Sequence, residues 1–212
     1  MSPLRDLCEI VFGPLANRSR PVDAAEADGV AASGLSRVRL LRGGDFGAFG
    51  LPLVGEGASG GGLGEEVYVD ARTRARFGVR PTDVLYLAKG GQHRPCLPPL
   101  AGPAELPYLV GSSFLLLRIR EPEALDREYL FAALGRRDAW RQLERRQEGA
   151  YVQSINKGAL GDLRVAVPSR AEQRRVVEYA RLLRDQRRLH AAAETAAERG
   201  LTALFQRLTP TA

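Results

Sequence analysis

The sequence is poor in the residues that most often carry cysteine and histidine chemistry. Its 212 residues contain two cysteines, Cys8 and Cys96, and two histidines, His93 and His190. The cysteines form no CxxC pair, which excludes a disulfide framework and a cysteine-based zinc site. We interpret the lone HxxC of His93 and Cys96 as a loop residue beside a small buried thiol. Because neither histidine has a Ser or Cys nucleophile nearby in sequence, we expect no catalytic residue. Because the HxxC has no second pair of ligands, we expect no metal site.

Long apolar runs and nucleotide motifs are also missing. No apolar run approaches the roughly 20 residues of a membrane helix, and the N-terminus has no apolar signal-peptide core. We therefore expect a cytoplasmic protein without a membrane partner. The sequence contains no GxxxxGK[ST], HExxH or GxSxG motif and no N-P-P-aromatic methyltransferase tetrapeptide. Gly55, Gly57 and Gly60 match a dinucleotide fingerprint, but the helix that this fingerprint requires does not follow, so a nucleotide-using enzyme ranks last.

Positive charge is concentrated in the last third of the chain. Residues 1–135 carry fifteen basic and sixteen acidic residues, whereas residues 136–212 carry sixteen and nine. The net charge of +6 therefore comes from the C-terminal part. A basic excess of this kind favours an anionic partner, most often nucleic acid, although a solvated helix face would also explain it.

The first part of the chain predicts a mixed α/β arrangement. Apolar and alternating segments predict strands at 36–41, 66–70, 83–88, 114–120 and 163–167. The near-continuous apolar run of 114–120 is typical of a central strand. Residues 43–64 are rich in glycine, and we expect a long, flexible surface loop with a short strand near 49–54.

Helical periodicity begins at Asp126, which we expect to cap a helix. A second helix is predicted over 137–147, with Trp140 and Leu143 inward and with outward arginines at Arg141, Arg145 and Arg146.

Ser169 and Glu172 have the spacing of a capping box. They open a helix that meets no proline until Pro210, which is about 38 residues or about 57 Å. A helix this long cannot pack along its whole length on its own small domain. We expect a protruding arm that pairs with another helix, or a hairpin that folds back at Gly200.

Two polar segments next to predicted strands contain side chains that are suited to nucleic-acid contacts. Lys89 to Arg94 contains Lys, Gln and Arg, which contact phosphates and base edges, and two glycines that permit close backbone approach. Tyr151 to Lys157 is a second segment of the same kind. From the residues alone, nucleic-acid loops and ordinary solvated turns explain these segments about equally well.

The order of these motifs resembles the target-recognition domain of the specificity subunit of type I restriction-modification systems. The residues that carry the resemblance are Leu4–Ile10 with Gly13, Arg80–Leu85 with Lys89-Gly90, Val110–Ile119, Asp126–Leu130, and above all Gln153–Lys157 followed by Val167-Pro168 and Glu172–Arg174. Members of this family usually carry two recognition domains and two long helices. This chain has one of each, so it resembles a half-subunit.

The resemblance implies a mixed α+β target-recognition domain over residues 1–168, followed by one long α-helical dimerisation arm in 169–212. It implies a non-catalytic subunit that binds double-stranded DNA at a bipartite site and directs a partner adenine methyltransferase, with or without a restriction nuclease. S-adenosylmethionine would bind the partner, and a second copy of the chain would pair through the helix. The alternative is a protein-interaction adaptor that uses the helix and reads no DNA.

The residues expected to act fall into two groups. The DNA-binding group has three base readers, four phosphate contacts and three further polar contacts: Lys89, Gln92 and Arg94; Arg141, Arg145, Arg146 and Lys157; Gln153, Ser154 and Asn156. The dimerisation group is apolar and lies on the helix: Leu182, Leu183, Leu189, Ala193, Ala197, Leu201, Leu204 and Phe205.

Overall fold

A computed structural model describes residues 1–14, 20–21, 34–53, 63–90, 93–102, 105–144 and 154–208. The strands are β1 (Ser2–Pro3), β2 (Cys8–Phe12), β3 (Arg20–Pro21), β4 (Ser36–Leu41), β5 (Glu65–Val69), β6 (Asp83–Leu87), β7 (Arg94–Cys96), β8 (Tyr108–Val110), β9 (Phe114–Ile119) and β10 (Arg164–Val165). The helices are α1 (Leu4–Leu7), α2 (Ala71–Phe77), α3 (Arg127–Leu134), α4 (Arg137–Glu144), α5 (Lys157–Gly161) and α6 (Arg170–Leu208).

The central sheet is antiparallel, with the strand order β2-β9-β6-β7. Strand β9 lies between β2 and β6, as its apolar run predicts. Alternate residues of β6 and β9 enter two different cores, because successive side chains of a strand point to opposite faces. Val84 and Leu115 face the helices α3, α4 and α5, while Leu85 and Leu116 face the second sheet. Both faces of the central sheet are therefore buried.

The second sheet has the order β3-β5-β4-β8, with β4 and β8 parallel. Its outer core includes Val38, Val67, Leu109 and Phe77 of α2. The layers therefore run from α2 through the two sheets to the helices α3 to α6. A separate antiparallel pair of β1 and β10 joins the N-terminus to the segment before α6.

A buried ion pair fixes the turn before β6. The Asp83 carboxylate is fully buried and accepts two hydrogen bonds from the Arg118 guanidinium, at 3.0 and 3.1 Å. It also accepts the Arg80 backbone N–H at 2.8 Å, which closes the 80–83 turn. Arg118 in turn donates to the Gly78 carbonyl at 3.0 Å. The segment Arg80–Leu85 is thus a structural element that positions β6 and the loop after it.

Residues 43–53 of the predicted loop over 43–64 contain no regular strand and no α-helix, as a loop should. Part of this segment nevertheless packs on the core instead of lying at the surface, and residues 54–62 lie outside the described residues. Gly43–Asp45 forms a 3₁₀ turn, and Phe46 is buried in the inter-sheet core, where its ring meets Phe114 edge to face at 5.5 Å. The short strand expected near 49–54 is reduced to a single bridge between Phe46 and Pro52. Gly50 has a φ of +69°, and a Cβ there would lie 2.1 Å from the Pro95 carbonyl oxygen. Tertiary contacts therefore hold this glycine-rich segment against the core.

The helix caps are formed as predicted. The Asp126 carboxylate accepts the backbone N–H groups of Glu128 and Tyr129 at 2.8 and 3.1 Å. Ser169 and Glu172 form the capping box, in which the Ser169 N–H donates to the Glu172 carboxylate at 2.9 Å. Helix α4 is described from Arg137 to Glu144, and residues 145–147 of its predicted extent lie outside the described part of the chain. Leu143 is inward as expected, but Trp140 is only partly buried.

Helix α6 is docked on the rest of the molecule at its base. Gln173 is fully buried and makes three hydrogen bonds: its amide oxygen accepts the Asp126 N–H at 2.8 Å, and its amide nitrogen donates to the Ala124 and Pro168 carbonyls at 2.7 and 2.8 Å. One turn later Val177 enters the core. Further along, Arg181 makes a bidentate ion pair with Glu128.

Beyond the base, α6 is solvent-exposed along residues 185–208. The helix continues through Gly200 without interruption, so the alternative of a hairpin at Gly200 is wrong. Its 39 residues correspond to about 58 Å at 1.5 Å per residue. Within the described residues no helix is long and apolar enough to cross a membrane.

Candidate nucleic-acid interface

Two polar segments that are far apart in sequence meet through their backbones. The Ile155 N–H donates to the Ala88 carbonyl at 2.8 Å, and Lys89 pairs with Ser154 in an antiparallel bridge. The Ser113 carbonyl accepts the N–H groups of both Ala88 and Lys89, at 2.8 and 3.2 Å. The loop after β6 and the segment before α5 therefore form one surface.

The first segment leaves the core abruptly at Lys89. Ala88 is fully buried, whereas Lys89 and Gly90 are exposed. Gly90 has a φ of +95°, which L side chains rarely adopt, and a Cβ built there would meet no atom of the described residues within 4 Å. The glycine is thus needed for its backbone conformation rather than for close packing. Gln92 lies outside the described residues.

The second segment alternates between exposed and buried positions. Ile155 is 1% exposed and anchors the chain in the core, while Ser154 and Asn156 on either side of it are exposed. The Asn156 side chain caps α5 by accepting the Ala159 N–H at 2.7 Å. Lys157 is exposed in the first turn of that helix. Ser154, Asn156 and Lys157 therefore share the surface with Lys89, whereas Gln153 lies outside the described residues.

Arg94 and His93 connect this surface to the neighbouring elements. The Arg94 guanidinium donates to the Phe46 carbonyl at 2.9 Å and so helps to hold the ordered 43–53 segment. The imidazole of His93 stacks on the Trp140 indole, with the ring centroids 5.9 Å apart and the planes 24° from parallel. Base reading by Arg94 stays a prediction, and the structure adds a packing role for this side chain.

Helix α4 contributes further positive charge. Ala139 and Leu143 are buried, which directs Arg137 and Arg141 to the exposed side, one turn apart. Arg145 and Arg146, the other two arginines expected to contact phosphates, lie outside the described residues. The described part of the predicted DNA-binding set thus comprises Lys89, Arg94, Arg141, Ser154, Asn156 and Lys157. Exposed cations are suited to phosphate contacts, and exposed polar side chains are suited to base edges.

A cleft of about 750 Å³ adjoins this surface, between α3, α4, the base of α6 and the segments at 48–49 and 93–95. Sequence reasoning missed it, because its residues come from five separate parts of the chain. Its walls are aromatic and cationic, and they include Phe49, Phe131, Trp140, Tyr179, Arg184 and Arg187. The Arg184 guanidinium lies over the Phe131 ring, 5.3 Å from its centroid. Trp140 was predicted to face inward, and of the residues that line the cleft only Arg94 and Leu183 were predicted to bind a partner.

The two buried thiols and a buried tyrosine hydroxyl have raised pKa values. Burial raises the pKa of both the Cys8 and Cys96 thiols to about 12, which leaves them protonated and unreactive at neutral pH. Burial also raises the pKa of Tyr86. In the ranges that the structure describes, no group of three His, Cys, Asp or Glu side chains could hold a metal ion.

The predicted dimerisation residues are all on α6, and most are exposed. The exposed fractions are 68% for Leu182, 65% for Leu189, 57% for Leu201 and Leu204, and 60% for Phe205. Ala193 and Ala197 are also exposed, whereas Leu183 is half-buried beside the cleft. Leucines at this exposure are costly to leave in water, which favours a partner for this helix.

Three solved structures share this architecture. A chain from work on the structural basis of complex assembly and conformational transition of the type I R-M system matches with a TM-score of 0.59 and 20% identity, over 97% of this chain and 43% of that chain. The HsdS subunit from Thermoanaerobacter tengcongensis matches with a TM-score of 0.53 and 21% identity, over 98% and 41%. The type I restriction-modification system S subunit from M. genitalium gives 0.51 and 15%, over 100% and 46%.

These matches confirm the predicted fold. The mixed α/β arrangement and the long C-terminal helix are those of type I specificity subunits, and the chain spans less than half of the length of the matched subunits. No protein-family model matches the chain, and no curated protein matches it.

Proposed function

We propose that this chain, which has the fold of type I specificity subunits, is a non-catalytic DNA-recognition subunit. The observation that carries the proposal is the backbone pairing of the Lys89 loop with the Ser154–Lys157 segment. This pairing brings exposed cations and polar groups from distant parts of the sequence onto one surface. Cations on that surface dock phosphates without reading sequence, and the loop tips read base edges.

The proposal extends to organisation and partners. Residues 1–168 form the target-recognition domain, and 169–212 contain the arm. The recognition domain reads one short half-site, and two copies joined through α6 read two inverted half-sites with a fixed spacer. The complex directs an adenine methyltransferase, with or without a nuclease, in the cytoplasm. S-adenosylmethionine binds that partner, and this chain carries no cofactor.

Binding to duplex DNA as a function of salt concentration tests the proposal. We expect the variant Lys89→Ala/Arg141→Ala/Lys157→Ala to bind all sequences more weakly and to flatten the dependence of log Kobs on log salt by about 0.9 for each phosphate that is no longer neutralised. Arg72→Ala, on the exposed face of α2 in the opposite outer layer, is the matched control. Equal salt slopes for the triple variant and the control, measured in the complex with the methyltransferase, would contradict DNA docking at this surface.

A second function of a different class is favoured by the exposed leucines of α6. In that case the chain is an adaptor that binds a protein through its helix and reads no DNA. Selection from a random duplex pool separates the two functions. A DNA-recognition subunit enriches a bipartite sequence with a constant spacer, whereas an adaptor enriches none.

A further inference from the structure

The cleft between α3, α4 and the base of α6 carries positive charge that the protein does not neutralise. Among the described residues that line it, five are arginines and one is acidic: Arg94, Arg136, Arg137, Arg184 and Arg187, and Asp138. The Arg136 Nε donates to the Asp138 carboxylate at 2.9 Å, so this acid is already paired. Arg137 and Arg187 are exposed and form no ion pair with any described residue. These two guanidinium groups are suited to an anionic ligand.

Aromatic rings lie beside these cations. Trp140 is partly exposed, Phe49 is 38% exposed and Tyr179 is 65% exposed, so their ring faces are accessible to a ligand. Trp140 follows Arg137 by three residues on α4, and both line the cleft. Their Cβ atoms are therefore neighbours, about 5–6 Å apart. The cleft thus offers an indole ring for stacking and a cation one helical turn away.

A buried hydroxyl is the third feature of the cleft. Tyr86 is 2% exposed and lies on β6, between β7 and β9. Its backbone is inside the sheet, so the part of Tyr86 that lines the cleft is its side chain. The hydroxyl forms no hydrogen bond with any described residue. Because buried polar groups are nearly always hydrogen-bonded, this O–H is suited to bond with a ligand at the bottom of the cleft.

The size and chemistry of the cleft together define a class of ligand. Its volume of about 750 Å³ lies within the range of about 300–1,000 Å³ that is typical of small-molecule sites. A ligand that uses all three features carries a flat ring for the aromatic walls, an anion for the two arginines and a polar edge for the Tyr86 hydroxyl. A nucleotide has these three parts. In a duplex each base is stacked on its neighbours and paired along its edge, so the ligand must lie outside a duplex.

We propose that this cleft binds an unpaired nucleotide. The base packs against Phe49 and Trp140. The phosphate pairs with Arg137 and Arg187, and the Tyr86 hydroxyl bonds with the edge of the base. The nucleotide comes either from free solution or from a nucleic-acid strand that has left its duplex, because both sources present the same base and phosphate.

This inference goes beyond the proposed function. Its ligand is not duplex DNA, and of the described residues predicted to bind DNA only Arg94 lines the cleft. The surface formed by the Lys89 loop and the Ser154–Lys157 segment is therefore a separate site, and the two sites can be tested separately.

Tryptophan fluorescence of the full-length chain measures binding directly, because Trp140 is the only tryptophan of the sequence. The probes are dAMP, adenosine, inorganic phosphate and a single-stranded oligo(dA) of five nucleotides. We expect dAMP and the oligonucleotide to quench the fluorescence to saturation. Adenosine and phosphate should each bind at least about tenfold more weakly than dAMP, since each lacks one of its two parts. Phosphate that binds as tightly as dAMP would overturn the inference.

The oligonucleotide distinguishes the two sources of the ligand. An oligonucleotide that binds at least about tenfold more tightly than dAMP identifies a nucleic-acid strand as the source. Binding no tighter than that of dAMP identifies the free nucleotide. Both results support the site, whereas absence of binding by either probe overturns it.

Substitutions test the named contacts. Arg137→Ala/Arg187→Ala is expected to raise the dissociation constant for dAMP at least about tenfold, because two charge-assisted contacts are lost. Arg174→Ala/Arg188→Ala removes the same charge from exposed positions of α6 outside the cleft, and this control should change the constant less than about twofold. Tyr86→Phe keeps the ring and is expected to weaken binding roughly 2- to 10-fold. Equal constants for the two double variants would overturn the inference.

The remaining outcomes concern other occupants and the proposed function. Quenching by increased protein concentration alone, with no further quenching by dAMP, would show that a second copy of the chain fills the cleft, and it overturns the inference. Nucleotide binding by a chain that binds no duplex DNA contradicts the proposed function and leaves the cleft site standing. Duplex binding without binding of dAMP or the oligonucleotide has the reverse meaning.

Discussion

The base and the projecting part of α6 are one continuous helix, yet they differ in almost every physical respect. The base contributes Gln173 and Val177 to the interior and is tied to α3 by hydrogen bonds, an ion pair and a cation–π contact. Residues 185–208 have the same helical backbone but only exposed side chains. The difference teaches that local sequence was sufficient to make the helix, and that packing of a few buried groups decided which part of it belongs to the domain.

The largest effect in this comparison is expected at Gln173. Gln173→Leu leaves the Asp126 N–H and the Ala124 and Pro168 carbonyls without their partner in a buried place, so we expect a loss of about 3 kcal/mol in the free energy of unfolding. The same change at Gln186, which is exposed, is the control and should cost less than about 0.5 kcal/mol. Urea unfolding followed by circular dichroism measures both, and equal midpoints would refute the role of the amide.

Truncation of one apolar side chain in each part of α6 tests the same difference between base and projecting part. We expect a change in the free energy of unfolding that is smaller than the change at Gln173. Val177→Ala is expected to cost about 1.5 kcal/mol, since this side chain packs in the core of the domain. Leu189→Ala removes a larger side chain from an exposed position and should change the stability of the single chain by less than about 0.5 kcal/mol.

The stability costs of Val177→Ala and Leu189→Ala are also expected to differ in their dependence on protein concentration. If two copies pair through α6, the cost of Leu189→Ala grows with protein concentration, because association contributes to stability by mass action. The cost of Val177→Ala should stay constant. Thermal unfolding at low and high protein concentration measures both dependences, and a concentration-independent Leu189 variant would argue against pairing through this residue.

The smallest expected effect is the pH dependence of the stability that Glu172 contributes in the first turn of α6. Hydrogen bonds from the Ser169 hydroxyl and N–H lower the pKa of the Glu172 carboxyl below its ordinary value of 4.5. The ionised carboxylate therefore contributes stability above pH 4.5, and this contribution is lost as the pH falls through the lowered pKa. The stability difference between the wild type and Glu172→Gln should shrink towards zero at low pH. A difference that is unchanged between pH 7 and pH 2 would contradict the capping box as its source.

The sequence predicted those elements whose causes are local. The caps at Asp126 and Ser169 were predictable because a side-chain oxygen reaches a backbone N–H only two or three residues away. Strands β4, β6 and β9 were predictable from their apolar patterns. The expected site was predicted as two separate loops, of which Lys89, Ser154, Asn156 and Lys157 are found on one surface.

Features that depend on distant contacts were missed. Composition predicted a glycine-rich surface loop, but Phe46 is buried and Gly50 approaches Pro95, so part of residues 43–53 packs on the core. The hairpin at Gly200 was a reasonable alternative from residue type, since glycine weakens a helix by about 1 kcal/mol, yet the helix continues. The stacking of His93 on Trp140 had no sequence pattern, because the two rings come from different elements.

The sequence by itself determined the helix, its apolar and charged periodicity, and therefore the direction in which Tyr179 and Leu204 both point. Only the tertiary structure decided that the Lys89 loop meets Ser154 and that the base of α6 borders a cleft. The physical reason is range: capping and periodicity are set within one or two turns of chain, whereas a shared surface exists only after β6, α4 and α6 have packed on one core and brought residues from separate segments within a few ångströms of one another.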